Sequence, residues 1–297
     1  MKHWIEAARL RTLPLSVSGI IMGTFLAAEK GFVNITITVL ALLTTVGFQV
    51  LSNFANDYGD GVKGTDNADR IGPKRTIQSG KISPKRMLNA MVITSVITAV
   101  VAVVLIYVAF GSENFVFSLT FFLLGIASIV AAIKYTVGSK AYGYSGLGDV
   151  FVLLFFGWLG VVGSYFLYTK ELDWLVFLPA TSIGFLSVGV LNLNNMRDVE
   201  SDKKAKKNTL IVKASLSFGK IYHAILLLSA IYLSLLYTQL NYKTPFQLIF
   251  LIVAFPLGIH LWEVIKNNNP AELDPELKKL AISTFIFAVL FGLGLVL

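Results

Sequence analysis

Cysteine is absent from the chain, which excludes disulfides, thiolate metal sites and a cysteine nucleophile. Histidine is nearly so: His3, His223 and His260 stand far apart, and no zinc-ligand spacing appears. Charge is scarce too, at 14% Asp, Glu, Lys and Arg against roughly 25% in a soluble domain. No linker or low-complexity stretch divides the chain, so it reads as one domain, residues 1–297. Apolar residues fill the space instead: 55% of the sequence is hydrophobic and the mean hydropathy is +0.72. That composition describes a polytopic membrane protein, for which the lipid bilayer is the main solvent. The formal net charge of +8 then reflects cytoplasmic loops and anionic headgroups or substrates, with no nucleic acid implied.

Apolar runs recur near 13–28, 34–54, 87–110, 114–133, 150–168, 174–196, 218–240, 245–265 and 277–297. Each approaches the roughly 20 residues that cross a bilayer. Nine spans predict an all-α protein. When the loops are sorted to alternate sides, every Lys and Arg except Lys30, Lys170 and Lys243 falls on the side of the N-terminus. A missing or extra helix would scramble that split. The positive-inside rule therefore puts the N-terminus in the cytoplasm. A basic arm before a short apolar run also occurs in cleaved signal peptides. The stretch HWIEAARLRT reads better as an interfacial helix, with Trp4 at headgroup level and Arg9 and Arg11 facing water or phosphate.

Acids collect at two places. NDYGD, from Asn56 to Asp60, follows the second apolar run; MRDVESD, from Met196 to Asp202, follows the sixth. If the helices continue, Asp57 and Asp60 share one face and Asp198 and Asp202 share another. Asn53, Asn56 and Asp57 are echoed by Asn194, Arg197 and Asp198, which suggests a degenerate parallel repeat of helices 1–4 and 5–8 with the ninth appended. Four carboxylates at one membrane surface repel unless cations intervene. Hard oxygens of this kind suit Mg²⁺, held by carboxylates together with substrate phosphates. A calcium EF-hand fails, because its third and fifth positions from Asp57 are Gly59 and Gly61. Lys63, Lys74 and Arg75 in one loop, and Arg197, Lys206 and Lys207 in the other, complete a diphosphate clamp. Each lysine taken singly is also explained by topology alone. Asn53, Asn194 and Asn195 read equally as interhelical glue or as groups orienting the carboxylates and the metal.

Weaker features remain. Tyr135, Tyr142 and Tyr144 surround the glycine-rich loop KYTVGSKAYGYSGLGD, which holds Asp149 and reads as a pocket wall or a tight turn. Phe151, Phe155, Phe156 and Trp158 face either lipid or a lipid-like chain and its carbocation.

These motifs resemble the UbiA superfamily of intramembrane aromatic prenyltransferases. ANDYGDGVKGTDNADRIGPKRTIQSGKIS, ARLRTLPLSVSGI, GLGDVFVLLFFGWLGVVGSYFLYT and LNLNNMRDVESDKKAKKNTL are similar to its menaquinone branch, the 1,4-dihydroxy-2-naphthoate polyprenyltransferases. The resemblance covers the whole chain. It implies nine helices in the cytoplasmic (inner) membrane, around a central cavity near the cytoplasmic face. It implies Mg²⁺-dependent prenyl transfer from a polyprenyl diphosphate to 1,4-dihydroxy-2-naphthoate with loss of CO₂, giving demethylmenaquinone. Asp57, Asp60, Asp198 and Asp202 match the two metal–diphosphate motifs. Asn53, Asn56, Lys63, Asp66, Arg75, Tyr135, Asn194, Arg197 and Lys207 are the expected substrate-binding residues. Two positions depart from the wider pattern: Gly64 stands where a third aspartate is frequent, and Ser139 where proline is common. Other aromatic acceptors such as 4-hydroxybenzoate, and a membrane transporter, are the rival readings. Acids gathered at one surface rather than at the midplane favour catalysis.

Overall fold

The computed structural model describes residues 1–64, 74–138 and 141–297. Among them, nine helices are long and apolar enough to cross a membrane. The spans are α1 (Leu13–Glu29), α2 (Ile35–Lys63), α3 (Pro84–Phe110), α4 (Phe115–Lys134), α5 (Gly148–Thr169), α6 (Phe177–Arg197), α7 (Leu216–Leu240), α8 (Pro245–Lys266) and α9 (Asp274–Val296). A short surface helix, Lys2–Ala8, precedes α1. Arg9 separates the two in left-handed conformation, at φ 50° and ψ 59°.

Several boundaries follow from local chemistry. Asn34, Ser83 and Ser215 accept a backbone N–H from the first turns of α2, α3 and α7, satisfying donors that a helix start leaves open. Pro14 and Pro84 sit in first turns, where no backbone N–H is needed. The helix α2 outruns its apolar stretch and continues to Lys63. It ends on Gly64 at φ 71°, a left-handed cap that costs glycine nothing. Asp57 and Asp60 therefore lie on a helix, and face the same way.

Packing divides the helices into an inner and an outer set. In α6, 56% of the apolar window is buried within the protein; in α4 the share is 11%, leaving that helix to lipid. The helix α6 touches α5, α7 and α9, while α1 lies between α9, α5 and α2. Glycines permit the closest approaches. A Cβ on Gly19 or Gly23 of α1 would meet backbone of α5, at Phe156 O and Val161 O. Gly157 of α5 and Gly184 of α6 face each other in the same way. Small residues at such crossings let backbones touch where no hydrophobic effect drives association. Through these contacts α5 is a π-helix, from Leu153 to Gly163, a wider coil than the α-helix on either side of it.

Candidate active site

At the end of the bundle that carries most Lys and Arg lies a cavity of about 900 Å³. Both aspartate pairs line it, together with Asn56, Arg75, Tyr135, Asn194, Arg197 and Lys207. Its deeper wall is apolar, formed by Leu15, Val152, Phe156, Val190, Leu191 and Ala281. The surface helix and the turn after it, from Ile5 to Thr12, supply another wall.

Asp57 and Asp60 are each 1% exposed. Asp57 accepts from Arg9 Nη2 at 2.8 Å, and from the Thr76 hydroxyl at 2.7 Å and backbone N–H at 3.3 Å. Asp60 accepts from the Tyr144 hydroxyl at 2.6 Å and pairs with Arg75 at 2.8 Å. Arg75 also reaches Asp57 at 3.7 Å and donates to the Asn56 carbonyl at 2.7 Å. Lys207 joins the two motifs, 3.5 Å from Asp60 and 3.8 Å from Asp202. Asp198 sits where α6 ends and a further helical turn begins, so Asp202 N–H still bonds to its carbonyl at 2.8 Å.

Arg197 is 2% exposed and fully engaged. Nε and Nη2 clasp both oxygens of Asp198 at 2.8 and 2.7 Å; Nη1 donates to Asp274 at 2.5 Å and Nη2 to Asn194 at 2.8 Å. Charged groups this deep require such pairing.

Two expected contacts fall elsewhere. Asn53 does not line the cavity; its amide donates to the Ala8 carbonyl at 2.8 Å and the Thr12 hydroxyl at 3.2 Å, holding the N-terminal arm against α2. Lys63 donates to the Thr136 carbonyl at 2.7 Å and lies 4.1 Å above the Tyr144 ring, behind the cavity. Asp66, like Ser139, lies outside the described residues. Of the aromatics on α5, Phe156 lines the cavity, Phe151 stacks on Tyr142 at 3.9 Å, and Trp158 donates to Thr181 at 3.0 Å. Burial, with Tyr142 and the carboxylates of Asp60, Asp149 and Asp202 nearby, holds the Tyr135 phenol protonated well above the usual tyrosine range.

Thr76, Tyr144 and Asp274 join the site without having been singled out as site residues from sequence. Tyr144 belonged to the glycine-rich loop, and Arg9 to the interfacial helix, but neither segment revealed which carboxylate it would meet. Asp274 had one available signal: it is an acid at the basic end of the ninth span, where topology requires none.

Among the described residues, no three His, Asp or Glu side chains form a ready-made metal cluster. Cations stand between the acids instead. The donor set is nonetheless all hard oxygen, and Mg²⁺ is commonly held by one or two carboxylates plus substrate phosphates. The residues fit that ion.

A helical bundle with nine candidate spans and acid–cation pairs over an apolar cavity defines an integral membrane protein. The chain belongs to the UbiA prenyltransferase family, which it matches over residues 16–295. It is 43% identical to a 1,4-dihydroxy-2-naphthoate octaprenyltransferase of Haemophilus influenzae, across 100% of this chain and 96% of that protein. It is 41% identical to the Escherichia coli protein of the same name, across 99% and 95%. In fold it is similar to a UbiA homolog from Archaeoglobus fulgidus bound to DMAPP and Mg²⁺, with a TM-score of 0.70 at 15% identity, covering 99% of this chain and 98% of that one.

Proposed function

We propose that this protein transfers a polyprenyl group, octaprenyl by its relatives' names, from its diphosphate to 1,4-dihydroxy-2-naphthoate in menaquinone biosynthesis. The observation that carries this is identity of 41–43% along essentially the whole chain to two enzymes of that name. The cavity is consistent with it: the charged end suits a diphosphate and the apolar wall an allylic chain.

In this reading Asp57, Asp60, Asp198 and Asp202 hold Mg²⁺, which when bound neutralises the leaving diphosphate. Arg75 and Lys207 receive the diphosphate oxygens; Asn56 and Asn194 line the cavity beside them, Asn194 accepting from Arg197. Arg197 acts through Asp198, which it clasps with two bonds. The allylic C–O bond breaks with its electron pair leaving on the diphosphate. Ring electrons of the naphthoate form the new C–C bond; the bond from ring to carboxylate then breaks, its electron pair returning to the ring as CO₂ departs. The apolar wall around Val152 and Phe156 keeps water from the allylic cation. The cavity faces the cytoplasm, in keeping with the positive-inside rule.

The test is a product assay on protein in lipid, with naphthoate, an allylic diphosphate and Mg²⁺, read by mass spectrometry. A prenylated product lacking the carboxyl group is expected. Turnover of 4-hydroxybenzoate in preference to naphthoate would overturn the acceptor. Diphosphate binding with no product from any aromatic acceptor would overturn the reaction.

A further inference from the structure

His223 and His260, unrelated in sequence, are neighbours in the bundle. Their Nε2 atoms lie 2.9 Å apart, and they are 0% and 2% exposed. His260 Nδ1 lies 2.6 Å from Glu276 Oε2, and Lys279 donates to the other Glu276 oxygen at 2.5 Å. At the far end, the Asn192 amide donates to the Gly219 carbonyl at 2.9 Å and faces His223 Nδ1 at 3.5 Å. The chain Asn192–His223–His260–Glu276 thus passes through α6, α7, α8 and α9 in turn.

One arrangement of protons satisfies every link. The Asn192 amide can only donate to Nδ1, so His223 carries its hydrogen on Nε2. That hydrogen goes to Nε2 of His260, which keeps its own on Nδ1 and donates it to the carboxylate. Each ring then carries one N–H, and Glu276 accepts from both His260 and Lys279. A proton added to His260 would set two N–H groups face to face.

None of these four side chains lines the cavity, but both ends of the chain lie beside it. Asn192 follows Leu191, a wall residue, on the helix that ends in Arg197. Glu276 lies two residues beyond Asp274, whose carboxylate takes Arg197. α6 and α9 are therefore joined twice: directly by Arg197–Asp274 at the cavity, and below it by the buried relay through α7 and α8. We infer that His223, His260 and Glu276 are positioning residues: they lock the first turn of α9 so that Asp274 holds Arg197, and through it Asp198, in register for the diphosphate. The inference rests on the reaction proposed above, in that it places the diphosphate at Asp198.

The test compares Glu276→Leu, which deletes the acceptor, with Glu276→Gln, which keeps an oxygen for His260. Affinity for inorganic diphosphate with Mg²⁺ is measured by calorimetry, alongside kcat, KM for the prenyl donor, and melting temperature. Glu276→Leu should weaken diphosphate binding and raise KM about tenfold, in the range for groups that orient ligands from behind. Glu276→Gln should restore most of that affinity. Glu276→Leu should add little to an Asp274→Ala variant, because both act through Arg197. Leu227→Ala, a packing control in α7, should lower the melting temperature without changing affinity. Full multiplication of the Glu276 and Asp274 effects, or wild-type affinity in Glu276→Leu, would overturn the inference. If Glu276→Leu does not fold, His223→Leu against His223→Gln gives the same comparison. Failure of the wild type to prenylate naphthoate would overturn the reaction alone, since the binding comparison needs no acceptor.

Discussion

Tyr144 and Thr76 each place a hydroxyl hydrogen on a buried carboxylate, and Arg9, Arg75, Arg197 and Lys207 supply the opposing charge. A hydroxyl 2.6 Å from a carboxylate oxygen is a short, directional contact. Tyr144→Phe leaves the ring under Lys63 but releases Asp60, and should lower kcat about tenfold with the fold intact. A kcat within twofold of wild type would show that the cations around Asp60, Arg75 and Lys207, fix it without the hydroxyl. Tyr135 behaves differently. Its phenol stays protonated far above the usual range because burial and surrounding carboxylates disfavour the phenolate. The raised value means it releases no proton as pH climbs through the ordinary tyrosine range. Tyr135→Phe should therefore leave the alkaline side of the pH–rate profile where it is; a shifted alkaline limb would assign that limb to Tyr135. The acids were legible because carboxylates beside a membrane span stand out in any sequence. Their partners were not. Thr76, Tyr144 and Asp274 reach Asp57, Asp60 and Arg197 across 19, 84 and 77 residues, and nothing local encodes such distances.

Among the elements, α5 and α1 carry the most specific demand. At Gly23 an added Cβ would lie 2.3 Å from the Val161 carbonyl oxygen. That neighbour is backbone and cannot turn aside. Gly23→Ala should cost about 1–3 kcal/mol by overpacking, seen as a lower melting temperature in detergent. An unchanged melting temperature would mean the two helices can separate freely. The number and order of the spans could be read from apolar runs and basic loops because the bilayer fixes span length and charge fixes side. The π-helix could not. LLFFGWLGVVG is apolar on every face, so no periodicity distinguishes a wide coil from an ordinary one. The same blindness applied to the histidines, whose pairing depends on how α7 leans against α8.

For the molecule as a whole, the decisive feature is that its acids are already paired. Each aspartate of the two motifs has an arginine or lysine within 4 Å. The buried carboxylates therefore have counter-charges without a metal. Chelation with EDTA should stop turnover while leaving the melting temperature unchanged, unlike proteins whose metal is part of the folding free energy. A large fall in melting temperature on chelation would show that the ion, and not the cations, holds the cavity together.

The extension of α2 beyond its apolar stretch has one more consequence. At about 1.5 Å per residue, Asp57 and Asp60 stand within about 10 Å of the end of the oily segment. The chemistry of the proposed reaction is thus held at a phase boundary, within reach of a solute from water and of a chain that never leaves the hydrocarbon. Keeping that chain in oil avoids about 0.8 kcal/mol of hydration cost for every methylene. Concentration for such a donor is a surface density. Adding inert lipid at constant bulk donor should slow the reaction in proportion to dilution in the plane, whereas diluting with buffer should not; equal sensitivity to both would place the donor in water.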